Sequence, residues 1–104
     1  MKFEHISKIA DGRQDGAIFG DYLFSFNHKG ECTVYKMEDV LIGNSEPFSE
    51  FSLDKTLIPH SNSVTFGNDF YYENDEFPCL YTNIYNNYAN EEEKLPGTTL
   101  VYRI

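Results

Sequence analysis

The sequence predicts an all-β fold of antiparallel meander sheets, and three observations carry that prediction. Wherever apolar residues recur regularly the period is 2, the spacing of a strand with one face buried. The aromatic share is 16%, supplied by eight Tyr and nine Phe without Trp, and flat rings pack well on a pleated surface. Two stretches also repeat one another. Ala17-Ile18-Phe19-Gly20-Asp21-Tyr22-Leu23-Phe24 and Val64-Thr65-Phe66-Gly67-Asn68-Asp69-Phe70-Tyr71 align at an offset of 47 residues, which also carries Asn27 onto Asn74 and Cys32 onto Cys79. Each copy reads as apolar strand, Phe-Gly, short polar turn and aromatic strand.

Taken in order, Phe3, Ile6 and Ile9 suggest a first strand over residues 3–10. Two Asp-Gly turn signals follow at 11–16. A short apolar strand over 17–20 ends at Gly20, a residue that takes positive φ without penalty. Tyr22, Phe24 and Phe26 alternate with Leu23 and Ser25. Asn27-His28-Lys29-Gly30 is hairpin-loop chemistry. Cys32 and Val34 then oppose Thr33, Tyr35 and Met37, which completes a meander. Residues 37–43 fit either a strand end or one turn of helix. Phe48, Phe51 and Leu53 mark a fourth, outer strand. In the second copy Val64 and Phe66 open a strand, residues 69–76 are acidic and aromatic, and 79–85 and 98–104 alternate again. Residues 86–97 form a long polar loop around Glu91-Glu92-Glu93.

With 104 residues the chain holds at most one domain, whose self-contained core would be thin. A net charge of −9 and a pI near 4.6 argue against nucleic-acid partners and against anionic membranes. No run approaches the ~20 apolar residues of a membrane span. Met1-Lys2-Phe3-Glu4-His5 lacks the apolar core of a secretion signal. A cytoplasmic protein is the expectation, with Cys32 and Cys79 as buried reduced thiols.

A unit of three or four strands recurring every 47 residues matches the ~40–50 residues of a propeller blade. The chain then holds about two propeller-like blades, one over about 14–55 and one over about 60–104. Closed propellers take roughly four to eight, so this is an incomplete propeller. The expectation is a piece of a longer repeat protein, or a short chain that completes its core by self-association through open strand edges.

The stretch His60-Ser61-Asn62-Ser63-Val64-Thr65-Phe66-Gly67, with Phe77-Pro78-Cys79-Leu80-Tyr81-Thr82, resembles a blade of bacterial propeller-type repeat proteins of the lactonase-like group. The likeness covers residues 16–37 and 60–104 and includes no catalytic signature. It implies innermost strands whose first polar residues face a central channel.

On that reading His60 and Asn62 are the candidate ligand-binding pair, since residues i and i+2 of a strand share a face. The competing explanation is that they satisfy backbone groups in a loop leading into the blade. One His and one Asn fall short of the three or four ligands of a metal site, so no metal or other cofactor is expected. Asp69, Glu73, Asp75 and Glu76 lack the spacing of a calcium loop and read as a solvated turn. His5 and His28 read as surface residues. Tyr22, Tyr71, Tyr72, Tyr81, Tyr85 and Tyr88 offer faces for stacking on sugars, although strand aromatics more often pack in a core. No nucleophile elbow, phosphate loop or zinc spacing is present, and no catalytic residue is assigned. The function expected is a binding or interaction scaffold for a small polar ligand or a protein. The alternative is a piece of a lactonase-like propeller hydrolase with a polar channel site.

Overall fold

The computed structural model describes residues 1–9, 15–54, 63–83, 92 and 97–104. Among these residues seven strands and one helical turn run in the order β1 (Asp15–Phe19), β2 (Tyr22–Phe26), β3 (Glu31–Lys36), α1 (Met37–Val40), β4 (Ser49–Ser52), β5 (Val64–Phe66), β6 (Leu80–Asn83) and β7 (Thr99–Tyr102). They form two sheets, β1-β2-β3-β4 and β5-β6-β7, antiparallel throughout. The chain is thus all-β, built as two open up-and-down meanders in the manner of propeller blades.

Local chemistry sets the first sheet. Gly20 turns β1 into β2 at φ 56°. Asn27 shapes the next hairpin, its Oδ1 accepting the N–H groups of Lys29 at 2.9 Å and Glu31 at 3.1 Å. That is a side-chain-closed turn, and Gly30 completes it at φ 77°. After β3 the chain makes one helical turn, lacks a side-chain cap at Lys36, and leaves through Gly43 at φ 80°. Pairing of Phe26 with Cys32 and of Cys32 with Phe51 fixes which face is apolar.

That face meets the second sheet in one core. Ala17, Phe24, Phe26, Cys32, Val34 and Leu53 pack with Val64 and Leu80, flanked by the half-buried Phe51, Phe66, Phe77, Tyr102 and Ile104. Phe24 lies at the centre. Its ring sits edge-on to Phe66 at 4.9 Å, to Phe77 at 5.3 Å and to Phe51 at 6.2 Å. Edge-to-face aromatic pairs gain about 0.5–1.5 kcal/mol each beyond their buried area. β1 lies beside β5, where Asp15 Oδ2 accepts the Val64 N–H at 2.6 Å and Phe19 meets Phe66 at 5.7 Å.

Two expectations are corrected. Residues 3–9 make no strand. Phe3 is 92% exposed and Ile6 is exposed, while Ile9 is half-buried, so the three apolar residues do not line one buried face. The aromatic stretch after Gly67 is not a strand either: residues 69–76 form bends and a turn, closed by the Asp75 N–H on the Tyr72 carbonyl at 3.0 Å. β5 pairs instead with β6, Phe66 opposite Leu80.

Candidate binding surface

His60 and Asn62 lie outside the described residues, as do Tyr85, Tyr88 and Glu91. The neighbouring Ser63 is tied to β6: its N–H donates to Asn83 Oδ1 and its carbonyl accepts the Thr82 hydroxyl, both at 2.9 Å. His5 is exposed and bonds the Ser7 carbonyl; His28 is half-buried in the β2–β3 turn.

The acidic run does not stay a set of equivalent solvated carboxylates. Asp75 is singled out. Arg103, just past β7, donates to it from Nε at 2.9 Å and from Nη2 at 2.8 Å. This two-pronged geometry suits a guanidinium against a carboxylate. Asp75 Oδ2 also accepts the Tyr72 N–H at 3.2 Å. The side chain of Asp75 is 7% exposed. The Arg103 hydrogen bonds hold its carboxyl below the usual range, aided by the Tyr72 amide and opposed by partial burial.

Arg103 also lies over the Tyr72 ring at 4.6 Å, and Tyr72 meets Tyr71 edge-on at 4.7 Å. Tyr71 and Tyr72 are 65% and 53% exposed. Among the described residues, the two strand tyrosines expected as stacking faces, Tyr22 and Tyr81, are spent on packing. Tyr22 lies against Phe48 and Phe77, and the Tyr81 ring lies on Gly67.

The same end of β7 borders an apolar groove of about 520 Å³ between the two sheets, lined by Phe51, Leu53, Asp54, Tyr102, Arg103 and Ile104 with Ser52. The Tyr102 hydroxyl is buried without a hydrogen-bond partner. Burial raises its pKa, and the charge of Asp54 adds to the rise. A second groove of about 500 Å³ runs beside β4; its Asn27 and Glu31 side chains are already bonded to each other.

Cys32 and Cys79 are free thiols and both are buried. Burial pushes Cys32 up to about 12, which removes it as a nucleophile near neutrality. Among the described residues no three His, Cys, Asp or Glu side chains gather as metal ligands, and no helix is long and apolar enough to cross a membrane.

Local sequence offered no signal for the Arg103–Asp75–Tyr72 cluster. Arg103 and Asp75 are 28 residues apart and meet because β7 runs back past the turn between β5 and β6. Comparison with family models, curated proteins and solved structures finds no match.

Proposed function

We propose that this chain is a propeller-like binding scaffold that recognises a small polar ligand or a protein segment through Tyr71, Tyr72 and Arg103. One observation carries the reading. Arg103 is held from two directions, by the Asp75 carboxylate and by the Tyr72 ring, while Tyr71 and Tyr72 stay exposed beside it. Tyr and Arg supply a large share of recognition energy at interfaces. Side chains fixed before contact lose less entropy on binding. Recognition by loops at one end of stacked sheets is a common use of such scaffolds. Two buried reduced thiols suit a reducing compartment such as the cytoplasm.

Amide-resolved NMR titration with a panel of sugars, sugar acids and short peptides tests the reading. Saturable shifts centred on Tyr71, Tyr72 and Arg103, lost in Arg103→Ala, are the expected result. Shifts centred elsewhere, or none across the panel, contradict it.

A further inference from the structure

We propose that β7 pairs edge to edge with β7 of a second copy of this chain, about a two-fold axis through Val101, joining two three-stranded sheets into one of six. The sheet edges differ in how they are protected. β1 and β5 face one another, joined by Asp15 and Val64 and by the Phe19–Phe66 contact. β4 carries exposed Ser49, Glu50 and Ser52. Pairing two copies through β4 sets like carboxylates near each other, which is unfavourable on a sheet. Among the described residues β7 has no such guard. Thr99, Leu100, Val101 and Tyr102 include no charge, no Pro and no Gly, and Val101 is 56% exposed. Edge strands without charge, Pro or a bulge are templates for another strand. Among the described residues the second sheet has three strands against four in the first, and β7 stands where the first sheet continues from β3 to β4.

Geometry selects the register. Opposed residues of an antiparallel pair project from the same face, so a two-fold perpendicular to the sheet must pass through one residue. Centring on Val101 places Leu100 opposite the second copy's Tyr102 and Thr99 opposite its Arg103. Leu100 and Tyr102 are the half-buried, inward members of β7. The second copy's Leu100 therefore arrives on the side of the groove lined by Phe51, Leu53, Tyr102 and Ile104 together with Ser52, Asp54 and Arg103, and adds an apolar side chain there. The two Val101 side chains meet on the outer face. Arg103 is already drawn away by Asp75, so its charge does not enter the seam. Each copy carries a net charge of −9. The seam is therefore opposed by long-range repulsion, and added salt should strengthen it.

Sedimentation equilibrium of the full chain and of Val101→Lys, at low and high salt, tests the pairing. The expected result is a dimer that tightens with salt, and loss of that dimer in Val101→Lys with unchanged circular dichroism, since Val101 is largely exposed. A second measurement fixes the register. Under mild oxidation Val101→Cys should crosslink to a covalent dimer much faster than Thr65→Cys, on the exposed face of β5, because residues opposed across a seam bring their Cβ atoms to roughly 4.5–5.5 Å. A monomer at every concentration, an assembly larger than a dimer, a dimer unaffected by Val101→Lys, or equal crosslinking of the two cysteine variants would each overturn the proposal.

Discussion

Phe19-Gly20 and Phe66-Gly67 are the same dipeptide 47 residues apart, and the structure uses them differently. Gly20 sits at φ 56°, and a Cβ there would meet nothing within 4 Å; it is needed for its backbone. Gly67 needs no positive φ, but a Cβ there would lie 2.6 Å from the Tyr81 ring; it is needed for its missing side chain. Gly20 leads at once into a paired strand. After Gly67 the chain wanders through Asp69–Pro78 and returns as β6, with the Gly67 N–H on the Cys79 carbonyl at 2.9 Å. What the two stretches share is a strand ending in Phe, and those two rings meet across the sheets at 5.7 Å. Similar short stretches can therefore meet in one packing contact while the segments after them fold differently.

The largest expected effect comes from the ring that both sheets use. Phe24→Ala should cost about 3–5 kcal/mol, measured by urea unfolding, because Phe66 and Phe77 of the second unit lose their central partner along with Phe51. Gly67→Ala should cost roughly 1–3 kcal/mol by overpacking. The cost should shrink in a Tyr81→Leu background, since the ring is what the new methyl meets. Gly20→Ala should cost roughly 1–2 kcal/mol through the left-handed backbone and should be unaffected by that background. A double-mutant cycle separates the two cases. Equal coupling of both glycines to Tyr81 would erase the distinction.

Smaller effects follow from titration. The Cys32 thiol is raised in the folded state, so its contribution is fully present below the unfolded thiol's pKa of about 8.5 and is lost as pH rises toward about 12. Cys32→Ala should flatten the alkaline limb of stability, and native Cys32 should resist thiol reagents until the chain unfolds. Asp75 is lowered by the Arg103 hydrogen bonds. Its contribution is present above the unfolded carboxyl's pKa of about 3.9 and is lost as pH falls through the lower folded value. Asp75→Asn should remove only that part of the acid limb, seen as a smaller difference between stability at neutral and acid pH.

Much of the first sheet was legible in sequence because its signals are local. Tyr22-Leu23-Phe24-Ser25-Phe26 alternates cleanly, and Asn27 to Gly30 carries its own turn chemistry. Residues 37–43 were ambiguous for a physical reason: a four-residue helix without a side-chain cap has almost no propensity signal. The N-terminal stretch misled because Phe3 and Ile6 are apolar without a surface to pack on. Residues 69–76 misled because aromatic content there serves an exposed turn braced by Asp75. The binding surface was invisible for a third reason. Arg103 reads as the polar member of an alternating strand, and only the fold brings it to Asp75 and Tyr72.

A single core is shared by both meanders, and amide hydrogen exchange tests this most directly. Amides of β2, β3 and β6 should open with the same free energy, and Phe24→Ala should lower all three together. If β6 opened independently of β2 and β3, or kept its protection in Phe24→Ala, the two sheets would be separate units and the shared aromatic core would not be what holds the second one in place.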